Sequence, residues 1–336
     1  VSAPSPAALS RRRKALYALV VCVVALLGAE LALRAVLPAA GRATLPDAQI
    51  AAHLNGKAFR YHPDLFWTWA DPGAPGSPVN RHGFVGKPDM RVAKAPGTRR
   101  VVFFGDSQTF GAGMGPGQDY PAVAESTLGD GWELLNAGIS GYRSLHVYRL
   151  LRLRMEAFAP DALVIDCMPF DSPRETGPLA TAPLRGAAVE ALRRFLWGSR
   201  LYYMVRLARE KLDPSRPRYL DASLARRAQG QGGAPVHGLL GNHDLIRDWA
   251  AERGITPFYL TYPIMEENGA HGCMANPGEL PPDVRVIDAC AHLRGTGLPA
   301  RRLFVDRNHL TVEGNAVLGA FVAASLAAWA AEGAPP

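Results

Sequence analysis

The sequence predicts an α/β fold, a three-layer α/β/α sandwich with a central parallel sheet, preceded by one N-terminal transmembrane helix. Three observations carry this expectation. An uncharged, mostly apolar run from Ala15 to Ala29 follows a basic cluster; short apolar runs alternate with longer helical stretches after Arg99; and the apolar runs end in polar or glycine residues. With 336 residues, 48% hydrophobic and 20% charged, the chain has ordinary globular content, which excludes disorder and collagen-like repeats.

The N-terminal element comes first. Arg11, Arg12, Arg13 and Lys14 precede the apolar run. Its uncharged core is shorter than the about 20 residues of a typical span, but continuing to Leu37 supplies the length, with Glu30 and Arg34 at the interface. A cleaved signal peptide is the rival. No A-x-A-like cleavage site stands between Gly28 and Gly41, so an uncut anchor is expected. By the positive-inside rule residues 1–14 form a cytoplasmic tail, residues 15–37 the span, and everything after about Pro38 lies outside, periplasmic or extracellular to a cell (inner) membrane. Four of the formal +7 charges belong to Arg11–Lys14. The small remainder gives no sign of a nucleic-acid partner.

Residues 38–98 are rich in Pro, Gly and aromatic residues ("YHPDLFWTWADPGAPGSP") and read as a linker that becomes an ordered, strand-poor lead-in. The domain proper spans 99–332. In order come the strand "RVVFFGD", a helix from about Tyr120, the strand "WELLNAG", a helix from about Ser144 and the strand "DALVIDCMPFD". After an insertion follow the helix "HDLIRDWAAERG", a single strand "ITPFYLTYPI", the strand "VRVIDA", and a last helix from about Thr311 to Ala331. Ligands bind outside the carboxyl ends of such strands, which brings Asp106, Ser107, Asn136, Gly138 and Asp171 together. Asp106 is expected to hold its turn and Asn136 to brace a strand end.

The insertion, 172–240, is basic. Ten Arg or Lys residues lie between Arg193 and Arg227 against Glu210, Asp213 and Asp221, interleaved with Phe195, Leu196, Leu201, Tyr202, Val205 and Leu207. It is either a solvated amphipathic helix closing over the core or a lid or membrane-surface element meeting anionic headgroups or acidic glycans. In "GNHD", Asn242 or Asp244 is expected to cap the following helix, with His243 and His237 at surface or cap positions. Cys22 lies in the span and Cys167 in a strand; Cys273 and Cys290 are either a disulfide or two free thiols. No C-x-x-C pair or His-rich spacing suggests a metal, and "GAGMGPG" lacks the lysine of a phosphate loop and the spacing of a dinucleotide fingerprint, so no cofactor is expected.

The chemistry gathers at two points. A strand ending in Gly105-Asp106-Ser107 puts the serine on a tight turn with its oxygen exposed. A serine hydroxyl attacks only when a base takes its proton, and the base works best when a third group orients it. Near the C-terminus Asp306 precedes His309 by three residues on a turn, a spacing that lets the carboxylate reach the imidazole.

"FFGDSQTFG", "LLNAGISGY" and "DRNHLTVEGN" resemble, in that order, the first, second and last motif blocks of the SGNH/GDSL hydrolases, over Arg99 to about Ala331 apart from the insertion. "VNRHGFVG" and "AELALR" look like the membrane-anchored bacterial branch of that family. The resemblance implies an SGNH-hydrolase-like sandwich with Ser107 as nucleophile, His309 as general base and later acid, and Asp306 as its partner. The amides of Ser107 and Gly138 would be two arms of the oxyanion hole. It further implies esterase, lipase, deacetylase or related acyl-transfer activity without metal or cofactor, and the membrane tether fits an ester-bearing envelope glycan or lipid as the substrate. One block departs: Phe170 stands where the family has the asparagine that completes the oxyanion hole. Ser172 or Arg174 could reach in, whereas an ionised Asp171 cannot donate. The departure raises a catalytically weak module that binds a glycan or partner as the alternative. The oligomeric state is left open.

Overall fold

The computed structural model describes residues 10–36, 58–62, 64–166, 239–275 and 284–333, together with 181, 184, 188–189, 192, 196, 199–202 and 204–205. The chain divides into two compact units, Val1–Gly56 with Arg185–Ala225, and Lys57–Leu184 with Arg226–Pro336. In the first, helix α1 (Arg11–Val36) has no buried residue. Its 26 residues measure about 39 Å at about 1.5 Å each, enough to cross a hydrocarbon core of about 30 Å.

The second unit is built on a five-stranded parallel sheet. Its strands are β3 (Arg99–Phe104), β4 (Trp132–Asn136), β5 (Ala162–Asp166), β6 (Thr256–Leu260) and β9 (Arg285–Ile287), in the order β4-β3-β5-β6-β9. Every residue of β5 is buried, the mark of an inner strand covered on both faces. Alternation sorts the side chains. Val101, Phe103, Leu134, Val164, Phe258 and Leu260 share one cluster with α3 (Tyr120–Leu128) and the last helix, α8 (Val312–Ala331), through Tyr120, Ala124, Leu318, Val322 and Leu326. Helix α4 (Ser144–Arg154) and helix α5 (Leu239–Ala251) pack together on the opposite face, where Tyr259 of β6 donates from its hydroxyl to the His243 carbonyl. Two short helices, α6 (Ala289–Gly295) and α7 (Ala300–Leu303), precede the turn before α8.

Three expectations are corrected. "ITPFYLTYPI" is two strands, because β7 (Tyr262–Met265) leaves the sheet after Thr261 and pairs antiparallel with β8 (His271–Ala275). The break is fixed by Thr261, whose amide donates to Ile287 and whose hydroxyl donates to Asp288. Neither Asn242 nor Asp244 is an N-cap: α5 already runs from Leu239. Asn242 is buried inside it, donating to the Ser144 hydroxyl at 2.9 Å, and Asp244 pairs with Arg247 one turn on. His243 is neither a surface nor a cap residue but fully buried, edge-on to Tyr259. His237, Cys167, most of the linker and most of the insertion lie outside the described residues.

The lead-in, expected to be ordered but strand-poor, carries a hairpin of β1 (Phe59–His62) and β2 (Phe66–Trp69). The Trp67 indole donates to the Ser140 carbonyl and the Tyr142 hydroxyl donates to the Trp67 carbonyl. A buried Arg149–Asp64 ion pair fastens the hairpin turn to α4. The hairpin thereby supports the turn that follows β4. Cys273 and Cys290 are joined in a disulfide that ties β8 to the start of α6.

Candidate active site

The carboxyl end of β3 stops at Gly105, where no other residue fits. A Cβ there would run into the Thr109 side chain and stand 2.9 Å from the Asp166 Cβ. The chain turns at once into a four-residue helix, α2 (Ser107–Phe110), capped by Asp106, whose carboxylate accepts from the Gln108 amide at 2.8 Å. Ser107 therefore begins a helical turn, half-buried, at the rim of the sheet.

The residues that meet it come from the loop before α8. The Ser107 Oγ lies 2.8 Å from His309 Nε2, and His309 Nδ1 lies 2.8 Å from Asp306 Oδ2. The other Asp306 oxygen accepts from the amides of Asn308 and His309 at 3.0 and 2.9 Å. A carboxylate facing Nδ1 holds the proton there and leaves Nε2 as the acceptor for the serine hydroxyl. Burial is the largest influence on Asp306 and pushes its pKa up, but the hydrogen bonds from the His309 ring and the two amides together outweigh it. The carboxyl is held below its ordinary value.

Behind this exposed line sits a buried one. Asp106 accepts a second hydrogen bond from the Tyr262 hydroxyl at 3.0 Å; Tyr262 in turn accepts from the Asn308 side chain at 3.3 Å. Gln108 closes the circuit, its side-chain amide donating to the carbonyls of Asn308 at 2.6 Å and Pro263 at 3.1 Å. Backbone bonds from Met265 to Arg307 and from Val305 to His309 stitch the same loop to β7 and to itself. Next to Asp106, Asp166 ends β5 and accepts from Thr109. Burial, and then the charge of Asp106, push its pKa well above the ordinary carboxylate value.

Asn136 braces the end of β4. Its amide nitrogen donates to the Thr109 carbonyl and Asp119, and its oxygen accepts from the Gly138 amide at 2.9 Å. That last bond corrects the expectation of Gly138 as a free oxyanion arm, since its N–H is already engaged within the turn. Glycine is required there for another reason: a Cβ would strike the Phe110 backbone. Gly141, at φ +77°, ends the same turn, and its amide has no acceptor among the described residues. Phe170, Asp171, Ser172 and Arg174 lie outside the described residues.

Ser107, His309, Asp306, Asp106 and Asn136 are thus brought to one end of the sheet. A cavity of about 400 Å³ bordered by Asp161, Thr256 and Trp329 lies at the opposite, amino end of β5 and β6 and has no part in it. Among the described residues no group of His, Cys, Asp and Glu is arranged to hold a metal ion. Gln108 and Tyr262 were not visible from the sequence, because a single buried amide or phenol carries no spacing signal.

No family model matches the chain, and no curated protein matches it. Solved structures do. They include a member of the lipolytic protein G-D-S-L family from Veillonella parvula DSM 2008, with 10% identity over 67% of this chain and 96% of that chain at a TM-score of 0.36. A catalytic mutant of an acetylxylan esterase from Geobacillus stearothermophilus shares 15% identity over 70% of this chain and 96% of that chain, at a TM-score of 0.38. A GDSL-like lipase from Bacteroides thetaiotaomicron VPI-5482 shares 14% over 68% of this chain and 89% of that chain, at 0.35. These likenesses are distant.

Proposed function

We propose that this chain is a membrane-tethered serine hydrolase that acts outside the cytoplasm on ester-linked acyl groups, through an acyl-enzyme on Ser107. The observation that carries the reading is the unbroken hydrogen-bonded line from Asp306 through His309 to the Ser107 hydroxyl. Ser107 Oγ attacks the ester carbonyl carbon while His309 Nε2 takes its proton. The proton passes to the departing alcohol, and a water activated in the same way releases the acid and restores Ser107. A sugar hydroxyl in place of that water would make the same site an acyltransferase.

The developing oxyanion needs donors. The Ser107 amide at the start of α2 supplies one arm. The turn that opens with Gly138 is where the second arm is expected, with the Gly138 amide itself held by Asn136. The sequence has Phe170 at the position of the third donor. Loss of one donor costs about 10² to 10³ in rate, so a slow hydrolase is expected unless another group substitutes. An anchored α1 places the substrate in the cell envelope, as an O-acetylated glycan or a lipid ester, with the enzyme single-pass in the inner membrane.

The test is fluorophosphonate labelling of the full chain in detergent micelles, beside Ser107→Ala and His309→Ala. Labelling that disappears in both variants supports the hydrolase. A folded wild type that does not label rejects it and leaves a crevice that only binds a glycan or a partner.

A further inference from the structure

Glu30 is the one acidic residue of α1, and an unpaired carboxylate in an apolar span is costly. It is not unpaired. One oxygen accepts from the Arg34 guanidinium at 2.7 Å and the Arg200 amide at 3.0 Å, the other from the Ser199 hydroxyl at 2.7 Å and the Leu201 amide at 2.9 Å. Residues 200–202 are helical, so Glu30 caps the first turn of a helical segment of the insertion, more than 160 residues away in sequence. The cover shows on α1 as well. Ala29, Glu30 and Leu33, one stripe at helical spacing, are the α1 residues that are not fully exposed.

The flanking parts of the insertion present apolar side chains outward. Val189 and Leu192 are each 58% exposed, Met204 38% and Val205 60%, in the same unit whose α1 exposes Leu16 through Val36. Water is a poor solvent for such a set in one compact unit; a bilayer is a good one. Depth agrees. Lys14 to Glu30 is about 24 Å along a helix axis, near the far edge of a hydrocarbon core of about 30 Å. The clamp therefore fixes the helical residues 200–202 at that edge. Arg193, Arg194, Arg200, Arg206, Arg209 and Lys211 follow the apolar residues closely in sequence, the composition of an interfacial helix that buries one face and reaches anionic headgroups with the other.

We propose that Val189, Leu192, Met204 and Val205 belong to a second lipid-contacting element, clamped to α1 by Glu30 through residues 199–201 and seated in the outer leaflet of an anionic bilayer. The proposal rests on α1 being a membrane anchor. The anchor of this protein is then a composite of a span and an interfacial segment far away in the chain, held by one carboxylate.

The full chain is reconstituted into vesicles of phosphatidylethanolamine and phosphatidylglycerol in a Cys167→Ser background, with an environment-sensitive thiol probe and brominated lipids as quencher. Cys22 reports on α1. Val189→Cys, Leu192→Cys and Val205→Cys, each with Cys22→Ser, report on the insertion, and Ser126→Cys, at an exposed position of α3, is the aqueous reference. The expected result is quenching at 189, 192 and 205 comparable to that at 22, and loss of it at 205 when Glu30→Ala is added while 22 stays quenched. Quenching at 22 with an aqueous signal at 189, 192 and 205 overturns the proposal and leaves the anchor standing. An aqueous signal at 22 removes the anchor and the proposal together. Probes that are shielded yet unquenched, and that cross-link between copies, overturn the lipid contact in favour of self-association. Unchanged quenching at 205 in the Glu30→Ala chain overturns the clamp.

Discussion

Two carboxylates flank Ser107 and live in opposite surroundings. Asp106 is 3% exposed, held by the Gln108 amide and the Tyr262 hydroxyl, while the Asp306 side chain is 54% exposed and faces the His309 ring. The buried carboxylate belongs to a ring of Asp106, Gln108, Asn308 and Tyr262 that joins the serine turn to the histidine loop. Under the proposed function the exposed one belongs to a proton relay. The contrast then teaches a division of labour: a relay must exchange protons with solvent and substrate and stays near water, whereas the two loops that carry it are tied together beneath it by the buried ring. Chemistry and stability should then be separable by mutation.

The largest effects are expected in the relay. Ser107→Ala and His309→Ala should each lower fluorophosphonate labelling by about 10³ or more. Unfolding free energy should shift by less than about 1 kcal/mol in either, since neither side chain holds the buried ring. Denaturant titrations beside the labelling assay check both halves. A variant that loses its fold along with its labelling would break the division.

The converse is expected where structure is attacked away from the relay. The Cys273–Cys290 disulfide closes a stretch with a sequence separation of 17, and a loop of this size is worth about 3 kcal/mol. Reduction should lower the urea midpoint yet leave the labelling rate of the still-folded fraction unchanged. His243 gives a pH-dependent counterpart. Burial pushes its pKa down to about 4, and neither ring nitrogen finds a hydrogen-bond partner among the described residues. Below the unfolded value of about 6.5 the unfolded chain takes up a proton that the folded chain refuses, so stability falls as pH drops. The loss grows until the folded pKa of about 4 is reached, amounts to about 3 kcal/mol, and levels off below. Stability measured against pH should show this acid slope in the wild type and a flatter one in His243→Phe.

The hydrogen-bonded line of Asp306, His309 and Ser107 was legible in the sequence and the ring beneath it was not. Ser107 announced itself by following an apolar run and a Gly-Asp pair, and Asp306 and His309 by a three-residue spacing on a turn; such local signals survive without knowledge of the fold. The parallel sheet was legible for the same reason, from uninterrupted apolar runs such as that of β5. Asn242 and His243 misled because residues with a preference for helix caps were placed inside α5, where Ser144 and Tyr259 accommodate them. Gly138 misled in a different way. Its place in the motif is right for an anion-binding turn, but the neighbouring Asn136 side chain takes its amide. Gln108 gave no signal, since its partners Pro263 and Asn308 are 155 and 200 residues away.

That residue supplies the sharpest and smallest test. Gln108 is 2% exposed and touches neither His309 nor Ser107 Oγ through any hydrogen bond of its side chain, which goes instead to the carbonyls of Asn308 and Pro263. Gln108→Leu keeps the bulk and removes both donors, leaving the buried Pro263 carbonyl and the part-buried Asn308 carbonyl without that partner at about 1 to 3 kcal/mol. If it only stabilised the fold, labelling by the folded protein would be unchanged. If it positions the loop, the maximal rate of labelling should fall by about tenfold, with half-saturation by the probe little altered, because small displacements of a base are costly. The split between rate and saturation, measured well below the unfolding temperature, separates the two. A rate that falls only in step with the unfolded fraction would mean that Asp306 alone sets His309, and that the buried ring serves stability and nothing else.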